Sequence, residues 1–345
     1  MNYLEHVSLA SYSTMRLGGA AAYLCEVTTR MELLEALTWA QQRTLPVIMI
    51  GSGSNIIWRD EGFAGLVIVN KILKFELFKE DDENTYLTIG AGELWDSVVM
   101  RSVQAGLSGI EALSLIPGTA GATPIQNVGA YGQDISQTLV TVEVFDTLLG
   151  DFVTLPASDC GFGYRTSRFK TSDRGRFYIS GISLHLTARA PAPPFYPAVA
   201  DYLAQHGESD PTPAAIRAAV VAIRSSKLPD PSVVNNTGSF FANPIINDGQ
   251  LAQLEADYGP VPHWSNDDGS NKLAAAWLIE QAGFKDFHDI ESGMGTWPAQ
   301  PLVLVNERAT STAGLLAFKN KIVAAVAAKF GITLEQEPEL LPAPA

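Results

Sequence analysis

Residues 47–58 read VIMIGSGSNIIW: an apolar run, a Gly/Ser turn and a second apolar run. Gly51 and Gly53 match the first two glycines of the dinucleotide-binding pattern GxGxxG, but Ile56 stands at the position of the third. A Rossmann loop also needs a helix that opens at the turn, whereas here the second apolar run leads into a charged turn. The stretch therefore excludes the Rossmann route. It leaves two interpretations, a tight strand–strand turn or a nest of backbone N–H groups that holds a pyrophosphate.

The segments around this loop predict a small β-α-β-type unit. Thr29 and Glu32 have the spacing of a capping box, which opens a helix through about residue 43. Short apolar runs at 45–50 and 65–70 indicate strands. The pattern of the rest of the chain is mixed α+β, with predicted helices at 93–105, 213–225, 270–282 and 311–330, a hairpin at 139–155, and strands at 177–188 and 301–306.

The composition is typical of a globular protein with more than one domain. The 345 residues are 46% hydrophobic and 17% charged, and a chain of this length favours two or three domains. The net charge of −14 argues against nucleic acid or an anionic membrane as a partner, because such a surface repels polyanions. The chain has no bilayer-spanning apolar stretch and no signal-peptide pattern, and Cys25 and Cys160 fit a reduced, cytoplasmic protein. The five histidines lack metal-ligand spacing, so we expect no metal site.

A second glycine-rich segment, residues 109–132, reads GIEALSLIPGTAGATPIQNVGAYG. It carries almost no charge, whereas a loop exposed to solvent has more Ser, Asp and Lys. An irregular core loop of this length is uncommon unless it has a function. Two such segments in one chain favour a bound ligand over two ordinary loops.

Five ordered motifs carry a resemblance to a known family. They are GSGSNII (51–57), the segment at 109–132, GFGYRTSRFK (161–170), RSSKLPDP (224–231) and GSFFANP (238–244). In this order and spacing they resemble the UDP-N-acetylenolpyruvoylglucosamine reductases, also called UDP-N-acetylmuramate dehydrogenases, of the type with a substrate-gating tyrosine loop. The resemblance covers about residues 12–339. It implies an α+β, FAD-binding fold of the vanillyl-alcohol oxidase (PCMH) type, with FAD-binding subdomains at 1–72 (joined by the C-terminal helix and tail at 311–345) and 73–208, and a substrate-binding domain at 209–310.

The resemblance implies FAD as a cofactor and NADPH as the hydride donor. We expect the FAD to be non-covalent, because neither glycine-rich segment contains a His or Cys for attachment. The first segment would hold the pyrophosphate and the second would line the flavin. The implied FAD contacts are Gly51, Ser52, Gly53, Ser54, Asn55, Ile56, Pro117, Gly118, Thr119, Gly121 and Ile125.

Three catalytic residues are also implied by the resemblance. Arg165, otherwise read as a surface arginine, has the planar and permanent charge that suits a substrate carboxylate gaining enolate charge. Ser239, otherwise read as an ST-turn at a strand end, would protonate the substrate at C2. Glu337 falls on the family's catalytic glutamate, although a shifted alignment selects Glu339 and the alternative is an exposed acidic tail.

The implied substrate is UDP-N-acetylglucosamine enolpyruvate, which would take hydride from flavin N5 at C3 in the pocket that NADPH has left. Its implied contacts are Tyr196, Lys227, Asn243 and Gln300, with Tyr196 as the gating tyrosine or, alternatively, an aromatic that pins its own loop. We expect a cytoplasmic monomer. The alternatives are an oxidase or dehydrogenase of the same fold that acts on another alcohol, and a non-enzymatic nucleotide-binding or assembly protein that kept the fold. The chain departs from the family's pattern at 235–236, over 286–296 and near Trp297.

Overall fold

The computed structural model describes residues 1–266 and 268–343, in which helices and strands alternate in an α+β arrangement. The helices are α1 (Arg30–Gln42), α2 (Trp95–Gln104), α3 (Pro197–Gln205), α4 (Pro213–Lys227), α5 (Asp248–Tyr258), α6 (Ala275–Gln281) and α7 (Thr312–Phe330). The strands are β1 (Leu4–Ser8), β2 (Ala20–Val27), β3 (Val47–Ile50), β4 (Ile56–Trp58), β5 (Phe63–Asn70), β6 (Phe75–Lys79), β7 (Asn84–Gly90), β8 (Gly129–Ala130), β9 (Gln133–Asp134), β10 (Leu139–Asp146), β11 (Asp151–Pro156), β12 (Phe177–Thr187), β13 (Asn236–Ser239), β14 (Ile245–Ile246), β15 (His263–Ser265), β16 (Asn271–Leu273), β17 (His288–Asp289), β18 (Met294–Trp297), β19 (Gln300–Asn306) and β20 (Glu339–Leu341). Single 3-10 turns lie at Leu9–Tyr12, Glu111–Leu113, Ala120–Ala122, Ile135–Gln137 and Ala157–Cys160.

The chain forms two compact units that alternate along the sequence. Unit 1 comprises Met1–Val7, Ala21–Ser52 and Phe63–Ser226, and unit 2 comprises Ser8–Ala20, Gly53–Gly62 and the chain from Lys227 onward. The boundary between the segments Ala21–Ser52 and Gly53–Gly62 falls inside the glycine loop. The three-domain division made from the sequence stays a prediction. Among the described residues, none of the helices has the length and apolar character that crossing a membrane requires.

The first sheet of unit 1 contains the predicted β-α-β unit. Strands β2 and β3 both pair in parallel with β5, and α1 connects them. Thr29 caps α1 by accepting a hydrogen bond from the Glu32 amide at 3.1 Å. The Glu32 carboxylate reaches back to the amide and hydroxyl of Thr28, both at 2.6 Å, which is one residue further than in a standard capping box. The helix predicted through about residue 43 is confirmed and ends at Gln42.

The second sheet of unit 1 is antiparallel, in the order β11-β10-β12-β7-β6. The predicted hairpin is confirmed by β10 and β11, which turn at Gly150 with a φ of +70°. The predicted helix at 93–105 corresponds to α2, which buries Trp95, Val98 and Val99 against this sheet and the second glycine-rich segment. Strand β12 confirms the apolar run at 177–188.

The core of unit 2 lies between α6, α7 and the sheet β13-β19-β18-β17. Helix α7 confirms the prediction at 311–330. Ser311 caps its first turn, and Gly331 ends it in the left-handed conformation. The strand predicted at 301–306 is β19. The stretch at 286–296, which departs from the family's pattern, forms most of the hairpin β17-β18.

The helix predicted at 270–282 is wrong in its first part. Residues Asn271–Leu273 form β16, which pairs with β14 on one side and β15 on the other, and the helix begins only at Ala275. Asn271 and Leu273 are both buried, as strand alternation requires. Hydrogen bonds from two neighbouring strands outweigh a weak local helix preference.

Candidate active site

The glycine loop at 51–56 has no room for side chains at two of its positions. A Cβ at Gly51 would lie 2.1 Å from Thr119 Oγ1, and a Cβ at Gly53 would lie 2.1 Å from the Tyr12 carbonyl oxygen. Gly53 also has a φ of +74°, which favours glycine. Strand β3 pairs with β5 and strand β4 with β20, so the loop is not the tight turn of a hairpin. This geometry favours the nest over the simple turn.

The second glycine-rich segment is held against the end of β7 and the start of α2 by backbone hydrogen bonds. The Gly121 amide donates to the Ala91 carbonyl at 2.9 Å, and a Cβ at Gly121 would lie 2.4 Å from Ala91 Cβ. Three residues other than glycine in this segment, Leu115, Asn127 and Tyr131, have a φ between +49° and +58°. Such conformations are costly for residues other than glycine, and they cluster at active sites and ligand-binding loops. Two irregular, glycine-rich backbone segments fit a large cofactor with phosphate groups, such as FAD.

The loop that carries Arg165 is tied to the second glycine-rich segment. Arg165 Nη2 donates to the Gly129 carbonyl at 2.8 Å, and the guanidinium lies 5.3 Å from the centre of the Tyr164 ring. The hydroxyl of Ser167, which is buried, donates to the Ile125 carbonyl at 2.6 Å. Arg165 itself has a φ of +55°. The structure therefore attaches this arginine to the segment predicted to line the flavin, unlike an ordinary surface arginine.

Tyr196 lies at the N-terminal end of α3, and its ring packs edge-on against Tyr131, with 5.4 Å between ring centres. Burial raises the pKa of both tyrosines. The Tyr131 side chain is hydrogen-bonded to Arg224, which precedes Lys227 by one turn of α4. Burial also lowers the pKa of Arg224. The Tyr196 loop is thus packed on the second glycine-rich segment, which both alternatives for Tyr196 permit.

Tyr131 and Arg224 were missed by the sequence reasoning. An aromatic residue inside a stretch of small residues was the signal for Tyr131. For Arg224, the signal was its position three residues before Lys227, which places both on one helix face.

In unit 2, Ser239 is the last residue of β13, and it lies opposite Val303 of β19. It is half-buried and lies between the buried Phe240 and Gly238, which has a φ of +71°. Gln300 is the half-buried first residue of β19, and Lys227, at the end of α4, is exposed.

Asn243, predicted to contact substrate, has a structural partner within unit 2. Its Oδ1 accepts a hydrogen bond from the Ala275 amide at 3.0 Å, at the beginning of α6. An amide oxygen at that place satisfies one of the free N–H groups of a helix start. Asn243 therefore has a stabilising role whether or not its amide nitrogen binds substrate.

The C-terminal tail is ordered by pairing within unit 2. The Glu337 amide donates to the Phe240 carbonyl at 2.9 Å, and Gln336 forms a β-bridge with Phe241. This places Glu337 beside the residue that follows Ser239. Strand β20 then pairs in parallel with β4, and the Glu339 amide donates to the Asn55 carbonyl at 3.0 Å. Of the two glutamates, Glu337 therefore has its backbone next to the Ser239 segment, whereas Glu339 has it next to the glycine loop.

The tail is also not exposed as a whole, since Leu334 and Leu341 are 4% and 7% exposed. Glu337 and Glu339 are themselves half-buried, so the alternative of an exposed acidic tail does not describe them. In the described part of the chain, no group of three or more His, Cys, Asp or Glu side chains could hold a metal ion.

Comparison with known proteins identifies the family. Residues 21–155 match the family model of the FAD binding domain, and residues 230–341 match that of the UDP-N-acetylenolpyruvoylglucosamine reductase C-terminal domain. The chain is 39% identical to the UDP-N-acetylenolpyruvoylglucosamine reductase of Ralstonia nicotianae, covering 97% of this chain and 98% of the relative. It is 40% identical to the enzyme of that name from Thermobifida fusca, covering 99% and 98%. This chain belongs to the UDP-N-acetylenolpyruvoylglucosamine reductase family.

The fold agrees with this family. The crystal structure of UDP-N-acetylenolpyruvylglucosamine reductase from Thermus caldophilus superposes with a TM-score of 0.68 at 23% identity, covering 99% of this chain and 98% of that one. The predicted α+β, FAD-binding fold is confirmed, and FAD is the cofactor. Both glycine-rich segments, 51–56 and 109–132, lie within the match to the FAD binding domain. The match to the C-terminal domain contains Ser239, Asn243, Gln300 and Glu337. The roles of the individual residues in this reductase family member stay predictions.

Proposed function

We propose that the protein catalyses the NADPH-dependent reduction of UDP-N-acetylglucosamine enolpyruvate to UDP-N-acetylmuramate, as a cytoplasmic monomer in peptidoglycan precursor synthesis. The relatives it matches over nearly their whole length are named for a reductase of this kind. The observation that carries the proposal is the pairing of the tail with residues 240–242, which brings Glu337 beside the Ser239 segment in unit 2. An acid and a hydroxyl on adjacent chain segments suit protonation of a carbon next to a carboxylate.

When bound, FAD would supply the hydride chemistry that connects NADPH with C3 of the enolpyruvyl group. The backbone of the two glycine-rich segments would hold its pyrophosphate and flavin, with Ser52, Ser54 and Asn55 as side-chain hydrogen-bonding groups. Tyr196, Lys227, Asn243 and Gln300 would bind the UDP-sugar.

The chain's own residues complete the reaction at C2. Arg165 offers two parallel donors to the substrate carboxylate as it gains enolate charge. Glu337 assists if it is protonated, because only the neutral carboxyl can donate a hydrogen bond to the enolate. Ser239 gives its proton to C2, and solvent returns one to the serine. The hydride at C3 and the proton at C2 convert the enol ether into the lactyl ether.

The test separates the two half-reactions. Substrate-dependent NADPH oxidation establishes the activity, and its absence with the UDP-sugar, together with oxidation of another alcohol, would favour the alternative enzyme. Ser239→Ala should leave flavin reduction by NADPH unchanged and slow reoxidation by substrate by about 10²- to 10⁴-fold, the range of general acid catalysis. Ser232→Ala, at an exposed serine of the same unit, is the control. Equal reoxidation rates for wild type and Ser239→Ala would reject the proton-donor role.

A further inference from the structure

Strand β13 contains an extra residue just before Ser239. Asn236 lies opposite Val305 and Ser239 lies opposite Val303, so three steps along β13 match two steps along β19. Without this bulge, Gly238 would lie opposite Val303. Because neighbouring side chains of a strand point to opposite faces, a shift of one residue changes the face to which Ser239 belongs.

One side chain bonds to the backbone on both sides of this bulge. Asn236 is 2% exposed. Its Oδ1 accepts a hydrogen bond from the Gly238 amide at 2.8 Å, and its Nδ2 donates to the Val234 carbonyl at 2.7 Å. The carboxamide thus satisfies the amide of the glycine with a φ of +71°, which would otherwise have no ladder partner at the bulge.

The side chains of the neighbouring residues Asn235 and Thr237 have no such hydrogen bond to the backbone of the bulge. Thr237 is buried, and its hydroxyl has no hydrogen-bond partner among the described residues. Asn235 contributes its backbone carbonyl, which accepts from the Asn306 amide at 2.8 Å, and its side chain is half-buried. The conformation of the bulge therefore depends on Asn236.

We propose that Asn236 is a positioning residue for Ser239. Its carboxamide fixes the bulge, and the bulge sets the face and height of the serine hydroxyl from which C2 receives its proton. This inference rests on the role proposed above for Ser239. Asn236 would act through the bulge and not by contact with substrate or cofactor.

The experiment measures both half-reactions by anaerobic stopped-flow absorbance of the flavin. The variants are Asn236→Ala, Ser239→Ala, the double variant, and Asn235→Ala as the matched control. We expect Asn236→Ala to slow reoxidation by the enolpyruvyl substrate at least tenfold and to change reduction by NADPH less than twofold. In the Ser239→Ala background, Asn236→Ala should add less than a twofold effect, because the group it positions is already gone. Asn235→Ala should behave like wild type.

A conservative variant keeps the test decisive. Asn236→Asp retains an acceptor for the Gly238 amide, so it should recover part of the reoxidation rate, and it serves in place of Asn236→Ala in the same cycle if the alanine variant does not fold. Equal effects of the Asn236 change in both backgrounds would overturn the positioning role, because they would show an action independent of Ser239. An unchanged reoxidation rate in Asn236→Ala would overturn it as well. If Ser239→Ala alone reoxidises like wild type, the proton-donor role fails first, and the positioning role falls with it.

Discussion

Gly51 and Gly53 show how two glycines in one short loop serve different needs. Gly51 has an ordinary backbone conformation, and it is glycine because Thr119 Oγ1 occupies the place of a Cβ. Gly53 combines such a close approach, to Tyr12, with a left-handed φ. The two glycines, spaced two residues apart, therefore allow two separate close approaches of the backbone, one to Thr119 and one to Tyr12.

We predict that Gly53→Ala loses most of its affinity for FAD. The new Cβ would lie 2.1 Å from the Tyr12 carbonyl oxygen, so the loop must shift away from the conformation that we propose for holding the pyrophosphate. The FAD content of the purified protein and the dissociation constant for added FAD measure the effect. Gly106→Ala is the matched control, since Gly106 has a φ of +75° and nothing within 4 Å of its added Cβ. FAD affinities that are equal in the two variants would contradict the role of the loop.

At the scale of elements, the beginning of α7 depends on a residue far away in the sequence. The Asp60 carboxylate accepts hydrogen bonds from the Thr312 amide at 2.7 Å and the Ala313 amide at 2.8 Å. The Thr312 hydroxyl donates to the Trp58 carbonyl at 2.6 Å. The charged turn that follows the glycine loop thus binds the positive end of the longest helix in unit 2.

Asp60→Ala should lower the free energy of unfolding by about 1 kcal/mol, the usual size of a helix-cap contribution. The loss follows from two amides at the start of α7 that no longer have a protein acceptor. Urea unfolding followed by circular dichroism measures it. Glu61→Ala, at the neighbouring exposed acid, should be within about 0.5 kcal/mol of wild type, as is usual for surface changes. The same stability for both variants would rule out the cap.

At the scale of the whole molecule, ion pairs connect segments that local sequence does not relate. Asp146, at the end of β10, is bound by Arg176 Nη2 at 2.6 Å, just before β12. The hydrogen bonds from Arg176 hold the pKa of the Asp146 carboxyl below its ordinary value. Arg176 also pairs with Asp173 at 3.2 Å, in the loop that carries Arg165. These contacts connect the end of β10 and the start of β12 with the loop that carries Arg165.

The lowered pKa of Asp146 predicts a specific pH dependence of stability. An Asp that is more acidic in the folded state stabilises the protein above its unfolded pKa of about 3.9, and this contribution is lost as the pH falls towards the folded value. Asp146→Asn should therefore be less stable than wild type at pH 7, with a difference that shrinks below about pH 4. Urea unfolding at a series of pH values tests this. Asp201→Asn, at an exposed aspartate, should change the free energy of unfolding at pH 7 by less than about 0.5 kcal/mol, as is usual for surface changes. A difference that is constant with pH for Asp146→Asn would contradict the mechanism.

Much of the fold could be predicted because its signals are local. The Thr29 cap and the Ser311 cap, the glycine that ends α7 and the turn at Gly150 all act within a few residues, and the structure confirms the elements they bound. Most of the predicted site residues also lie in segments with unusual local composition, so the sequence could single them out as candidates. Their roles could not, since a role depends on which distant groups a side chain meets.

What the sequence by itself determined is the set of elements with strong local signals, the absence of a Rossmann loop, and the five ordered motifs that indicate the family. The tertiary structure decided the strand at Asn271–Leu273 and the parallel pairing of β20 with β4. It also decided the pairing of Glu337 with Phe240 and the bulge before Ser239. The physical reason is the same in each case. The hydrogen bonds that select these conformations come from partner strands or segments elsewhere in the chain, and no local pattern encodes which partner will be near.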